Sequence, residues 1–341
     1  MRKASGSLFG LAYGDALGKA TEFQVYDAIV AEYGPAGPRE LTGDPALVTD
    51  DTQMMLAVGE ALLAAGAPTP ASLEPPLRAG FLAWASSPDN NRAPGATCLR
   101  ACADLHDGRP WQEASQIHSK GCGANMRVTP VGLVPGLADE VRAGAAQLQA
   151  GLTHGHPTAL AASELTAYAV HWLTEGYQPR DLPEALRQHC ADRRRVYPER
   201  WLGDLWRKAS ASSPADYAAT GWDECAAALD RVTEALAAGR FDGDPSLATG
   251  AGWVAEEALA TALYCYLISP DEPVAVLGRA AASSGDSDSI ACLAGSFAGA
   301  ALGLDAWPAD WTSRIEYTDR IARLGKAWDA LIHSADRERL Q

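Results

Sequence analysis

No stretch of this 341-residue chain sustains the apolar–polar alternation of a half-buried strand, whereas long segments repeat their apolar residues at helical spacing. Helices are predicted over 52–65, 157–175, 224–238, 253–268, 289–304 and 313–332, where composition and spacing both favour helix. Pro157 suits a first helical position, because the N–H it lacks would have had no intrahelical partner. Clusters of Pro, Gly and Ser at 66–70, 212–214 and 242–245 punctuate these segments. There is no short repeat, low-complexity tract or long linker. The chain is therefore expected to be all-α, a compact multi-helix bundle forming a single domain over 1–341, with two separately folding halves as the alternative.

Charge then narrows the function classes. A net charge of −15 and a pI near 4.9 leave no broad positive field to hold a phosphate backbone, which argues against generic nucleic-acid binding. A small local site for an anionic ligand is compatible with that balance. The seven cysteines are scattered without a C-x-x-C pair, and Cys98 and Cys102 lie four apart on a probable helix. Such usage predicts reduced, packed thiols in a cytoplasmic protein, not a disulfide framework. Asp15 interrupts the apolar stretch after Leu8, against a signal peptide. The run 290–304 falls short of about 18 apolar residues and carries Gly throughout, so no membrane span is expected.

Two places concentrate short oxygen ligands without nearby compensating cations. One is V-T-D-D-T-Q-M, with Thr49, Asp50, Asp51 and Thr52 at the start of a helix. The other is S-S-G-D-S-D-S-I-A at 283–291, with Asp286, Asp288 and Ser289. Residues two apart on a regular helix point roughly 200° away from each other, so Asp286 and Asp288 converge only from a turn. Gly285 permits that turn, and Ser289 would then start the helix. Four carboxylates with hydroxyls form a hard oxygen set suited to Mg²⁺ or Mn²⁺. The competing reading is that both clusters are helix N-caps, where Asp, Ser and Thr are preferred. What separates the two is whether the clusters meet in space. An EF-hand does not fit, because Ala291 and Phe297 stand where Gly and Glu are needed. A D-x-D phosphoryl-transfer loop would follow a hydrophobic strand, and residues 280–284 look like a helix end.

The segments G-L-A-Y-G-D-A-L-G-K-A-T-E at 10–22, R-A-P-G-A-T at 92–97, G-C-G-A-N-M-R at 121–127 and L-T-H-G-H at 152–156 complete a pattern with T-D-D-T and G-D-S-D-S-I-A. In this order, from about residue 5 to 303, they resemble the ADP-ribosylglycohydrolase family. The resemblance implies an all-α orthogonal bundle with two divalent cations, Mg²⁺ or Mn²⁺, that cleaves the C1 glycosidic bond of ADP-ribose on a modified target. By position, Thr49, Asp50 and Asp51 match one side of the metal centre, and Asp286, Asp288 and Ser289 the other. Ser289 departs from the usual Thr but keeps the hydroxyl. Glu22 matches an acidic residue that closes over the metals, and Glu22, Asp50 and Asp51 are the implied catalytic carboxylates. Without the resemblance, Glu22 reads as a solvated helix-end carboxylate.

Gly95, Ser119, Gly121, Cys122 and Gly123 match the wall on which ADP-ribose lies, where small residues let backbone N–H groups approach a pyrophosphate. Many members have Asn where this chain has Cys122; the Cys variant resembles the branch acting on ADP-ribosylarginine. His154 matches a histidine near the ribose–phosphate region; alone it reads as a capping or packing residue. His154 and His156 make no zinc site, because no third nitrogen or sulfur ligand has a recognisable spacing. The implied partners are an ADP-ribosylated protein or another ADP-ribosylated substrate, with ADP-ribose as product. A non-catalytic ADP-ribose-binding module is the alternative. A Mg²⁺-dependent diphosphate lyase is a third, weakened because D-D-T-Q-M at 50–54 lacks that motif's third acidic residue.

Overall fold

Residues 3–18 read K-A-S-G-S-L-F-G-L-A-Y-G-D-A-L-G, with Gly6, Gly10, Gly14 and Gly18 along one stripe. Each interior glycine costs a helix about 1 kcal/mol relative to Ala, so such a stripe becomes helical only when something presses closely on it. The computed structural model, which describes residues 1–339 and side chains through residue 332, shows what does. Its α-helices are α1 (Lys3–Gly18), α2 (Tyr26–Tyr33), α3 (Asp50–Ala65), α4 (Pro70–Ala85), α5 (Ala96–His106), α6 (Trp111–Ala114), α7 (Thr129–Leu133), α8 (Asp139–Gly151) and α9 (Pro157–Thr174). The second half adds α10 (Leu182–Arg193), α11 (Glu199–Leu202), α12 (Pro214–Ala238), α13 (Ser246–Thr249), α14 (Ala255–Ile268), α15 (Pro273–Ala281), α16 (Ser287–Leu302), α17 (Trp311–Arg314) and α18 (Thr318–Arg339). Among the described residues there is no β-strand, only isolated bridges, and the all-α expectation holds. Leu340 and Gln341, at the end of the expected domain, lie outside the described residues.

The glycine stripe of α1 lies backbone to backbone on α16. A Cβ added at Gly10 would fall 2.3 Å from Gly295 O, one at Gly14 2.1 Å from Ala291 O, and one at Gly18 2.3 Å from Asp288 Cα. No side chain fits, so the two helices approach as closely as backbones allow, which draws the N-terminus of α16 against the C-terminus of α1. Gly14→Ala is expected to destabilise the chain by at least about 1–3 kcal/mol, the usual range for overpacking, read as a lower denaturant midpoint with unchanged slope.

α1, α9, α14 and α16 are buried along most of their length and apolar nearly all round, the property of central helices. α12 is amphipathic, turning Tyr217, Gly221, Trp222, Cys225, Ala228, Leu229 and Val232 inward at three- and four-residue spacing. One contiguous buried apolar cluster includes residues from Ala4 to Trp328.

Several boundaries differ from expectation. α16 begins at Ser287, two residues earlier than expected, so Asp288 lies in its first turn while Asp286 stays non-helical at φ −83°, ψ 63°. The turn comes from Gly285 at φ +104°, a conformation in which a side chain is strained. α12 begins at Pro214 instead of 224: the Ser-Pro read as punctuation is a start signal, with the Ser213 side chain accepting from Asp216 N and Pro at the first helical position. The expected helix 313–332 is broken between α17 and α18, where Tyr317 sits at φ +58°. Helix α1 carried no expectation of regular structure. All seven cysteines are buried and unpaired, and no helix among the described residues is long and apolar enough to cross a membrane.

Candidate active site

Thr49 begins α3, its side chain accepting from Asp51 N, so Asp50 and Asp51 occupy the first turn. This end of α3 is held from α1 by Asp15, which is fully buried. The Asp15 carboxylate accepts from Thr49 N (2.9 Å), Thr49 Oγ1 (2.9 Å), Thr52 N (3.0 Å) and Thr52 Oγ1 (2.6 Å). The single proton of the Thr49 hydroxyl is best placed toward Asp15, because Asp51 Oδ2 and Asp288 Oδ2 lie farther away at 3.3 and 3.5 Å. With one lone pair accepting from Asp51 N, the other is left toward those two carboxylates. Ahead of the helix, Arg92 pairs with Glu316 at 2.6 and 3.0 Å, and Glu316 also accepts from Val48 N at 3.1 Å, fixing the approach to Thr49.

The α16 side is built by the loop after α1. Thr21 Oγ1 donates to Ala281 O (2.7 Å), and the Ser287 hydroxyl donates to Gly18 O (3.0 Å). Glu22 N is bonded to Gly18 O at 2.9 Å, which brings the Glu22 carboxylate over the start of α16. Oxygens of Glu22, Asp286 and Asp288 lie within 4.8 Å of one another. Asp50 and Asp51 line the same cleft from the opposite side, and Gly95 N donates to Asp50 Oδ2 at 3.2 Å. The two acidic stretches, far apart in sequence, thus face each other with Thr49 between Asp51 and Asp288.

Burial raises every carboxyl of this group; the charge of Asp288 raises the others further, while hydrogen bonds from its neighbours pull Asp288 itself back down. Glu22 is pushed up to about 9, Asp50 to about 8 and Asp15 to about 7, in each case by desolvation first and then by the charge of Asp288. Asp51 and Asp286 lie well above the ordinary carboxylate range for the same two reasons. Among the described residues no lysine or arginine lines this cleft. Asp51 Oδ1 is buried without a hydrogen-bond partner among the described residues, a need that a cation would meet. An oxygen-only donor set with an orphaned carboxylate oxygen fits Mg²⁺ or Mn²⁺ better than a helix cap, which needs one carboxylate and not five.

From this acidic end runs a cleft of about 320 Å³ walled by Gly95, Gly121, Cys122, Gly123 and His154. Two backbone hydrogen bonds, Cys122 N to Trp253 O (3.1 Å) and Ala255 N to Lys120 O (2.8 Å), clamp the glycine loop in place. A Cβ at Gly123 would lie 3.0 Å from Cys98 Sγ and 3.1 Å from His154 Cε1, so this position is held small by its neighbours. Cys122 is buried and its thiol is pushed well above the usual range by desolvation and then by Asp286. It is a neutral wall residue without nucleophilic character. At the mouth, Phe23 and Trp253 stack with ring centroids 5.3 Å apart, 67% and 44% exposed.

Comparison with known proteins agrees with this arrangement. The family model described as ADP-ribosylglycohydrolase matches residues 1–339. The chain belongs to the ADP-ribosylglycohydrolase family. Its relatives include the ADP-ribosyl-[dinitrogen reductase] glycohydrolase of Rhodospirillum rubrum, 27% identical over 92% of this chain and 90% of that protein. Another is the ADP-ribosylhydrolase ARH3 of Homo sapiens, 26% identical over 91% of this chain and 88% of that one. A solved structure titled ADP-ribosylglycohydrolase-related protein complex shares the fold, with a TM-score of 0.69 at 24% identity over 96% of this chain and 97% of that one.

In this family member the cleft wall carries Glu22, Gly95, Gly121, Cys122, Gly123, His154, Asp50, Asp51, Asp286, Asp288 and Ser289. Thr49 and Ser119 stand beside that wall: Thr49 between carboxylates, Ser119 hydrogen-bonded to Thr97 Oγ1 at 2.9 Å. The Ser289 hydroxyl is a weak contact to Met126 Sδ at 3.9 Å and also lies in reach of Asp286. Asp15, Phe23 and Trp253 escaped sequence reasoning. A lone Asp inside the apolar stripe of α1 was the available signal for Asp15; the two aromatics meet across more than two hundred residues and give none.

Proposed function

We propose that this chain hydrolyses the bond between C1 of ADP-ribose and a modified target, with a nitrogen of arginine slightly favoured as the linkage. What carries this reading is the convergence of two acidic stretches and Glu22 at one end of a glycine-walled cleft. Thr49, Asp50 and Asp51 on one side, with Asp286, Asp288 and Ser289 on the other, would hold two divalent cations. When bound, these neutralise the carboxylates and supply Lewis acidity toward water and the ribose hydroxyls.

The remaining chemistry falls to the chain's own groups. The backbone at Gly95, Gly121 and Gly123 admits the pyrophosphate closely, and His154 closes the wall behind it. Hydrolysis forms a bond from a water oxygen to C1 and breaks the bond to the target. One water proton passes to a carboxylate, and the departing group takes up a proton. Glu22, Asp50 and Asp51 are the candidate acceptors. Glu22 is the least buried of them and stands beside the open mouth. The exposed Phe23–Trp253 stack stands at that open end.

The test is ADP-ribose release from a panel of defined linkages with Mg²⁺ or Mn²⁺ present: arginine, serine, nucleobase and O-acetyl-ADP-ribose. Release from at least one, fastest from arginine, is expected. Binding of ADP-ribose without release from any linkage would make the protein a binding module.

A further inference from the structure

Arg127 is fully buried, yet among the described residues no carboxylate is a hydrogen-bond partner. Its guanidinium instead donates to Gln149 Oε1 (2.8 Å), Gln149 O (2.7 Å) and Thr153 Oγ1 (2.8 Å), and lies 4.2 Å from the centre of the Phe81 ring. The nearby Cys98 thiol, pushed up to about 12 mainly by burial, offers no negative charge. A buried cation kept in this way is costly, and its position asks what the charge acts on.

The chain of contacts leads to the cleft. Thr153 Oγ1 has one proton and two lone pairs, and Arg127 occupies one lone pair. Two acceptors are available to its proton: His154 Nδ1 at 2.8 Å and Ala150 O at 3.4 Å, the latter beyond normal O–H···O range. The shorter contact, on a hydroxyl polarised by the guanidinium, points to donation from Thr153 to Nδ1. The imidazole, 2% exposed, stays neutral, because burial and then the Arg127 charge lower it to about 3. Nε2 has no hydrogen-bond partner among the described residues, and it lies 3.4 Å from the points where Gly121 and Gly123 would carry a Cβ.

We propose that Arg127 and Thr153 are positioning residues that hold His154 as its Nε2–H tautomer, so that the ring donates a hydrogen bond into the cleft to an anionic oxygen beside Gly121 and Gly123. Identifying that oxygen with ADP-ribose pyrophosphate rests on the function proposed above; the tautomer does not. A neutral donor aimed from a fixed ring supplies direction where a mobile cation would supply only charge.

The experiment is ¹⁵N–¹H long-range correlation of the His154 imidazole in the free protein at neutral pH, for wild type, Thr153→Val and Thr153→Ser, with ADP-ribose affinity measured on the same samples. Wild type is expected to show a pyridine-like Nδ1 and a protonated Nε2. Thr153→Val should shift the ring toward a tautomer mixture and weaken ADP-ribose roughly tenfold, the worth of one hydrogen bond, and Thr153→Ser should restore both. An Nδ1–H or doubly protonated ring in wild type overturns the proposal, with no variant needed. An Nε2–H ring unaltered by Thr153→Val also overturns it. If the tautomers behave as expected but wild type does not bind ADP-ribose, the substrate reading falls and the positioning role stands.

Discussion

Asp288→Asn is expected to lower ADP-ribose release by at least about a thousandfold, about 4 kcal/mol of transition-state stabilisation, while raising the stability of the cation-free protein. Asp288 is the neighbour whose charge acts most strongly on Asp15, Glu22, Asp50, Asp51 and Asp286 alike. Asn keeps an oxygen for the hydrogen bond from Ser289 N (3.0 Å), removes the charge and puts an NH2 in place of the second oxygen. Repulsion within the group falls, so folding improves, and the capacity to hold cations falls with it. Opposite movement of stability and activity marks a functional acidic cluster. Steady-state release rates and denaturant midpoints on the same variant check it. Near-normal turnover, or lost stability in the absence of cations, would show that the carboxylate serves as a structural cap.

The second large effect is on stability against pH. A carboxyl whose folded-state pKa is raised above its unfolded value of about 4 binds its proton more tightly when folded. Its contribution is therefore most favourable at low pH and is lost as pH rises through the folded value. For Asp15, Asp50 and Glu22 those values are about 7, about 8 and about 9. Chelated protein should accordingly lose thermal stability from pH 6 to pH 9. Mn²⁺ or Mg²⁺ at a hundred times its dissociation constant should add about 2.7 kcal/mol per site and flatten that slope, because the ions replace the protons. Melting curves across this range, with EDTA and with Mn²⁺, decide it. A chelated protein whose stability rises with pH, or one indifferent to both ions, would contradict the electrostatic account.

The helical character of the chain was legible because 3.6-residue spacing is a local property, and so were the acidic stretches, whose chemistry is spelled in consecutive residues. Their approach to one another was implied only by the family resemblance and not by the residues themselves. It depends on α1, whose glycines disfavour helix when taken alone and become intelligible only once the backbone of α16 is seen against them. The same holds for Asp15, which in sequence merely interrupts an apolar run and in the fold orders Thr49 and Thr52. α12 was truncated in the sequence reading because Ser-Pro marks a loop and a helix start equally well, and only the bond from Asp216 N to Ser213 distinguishes them. His154 was legible as a wall residue through a resemblance. Its support by Thr153 and Arg127 required the fold, since a buried arginine without an acid has no sequence signature.

The central claim is that residues 49–51 and 286–289 jointly hold two divalent ions. A crystal grown with Mn²⁺, with diffraction recorded at the manganese absorption edge, tests it most directly. Two anomalous peaks are expected between Asp50, Asp51, Asp286 and Asp288, each within coordination distance of carboxylate oxygens, about 2.1 Å for an ion of Mg²⁺ size. Full-length protein with no peak there, or with manganese only on surface carboxylates, would contradict it.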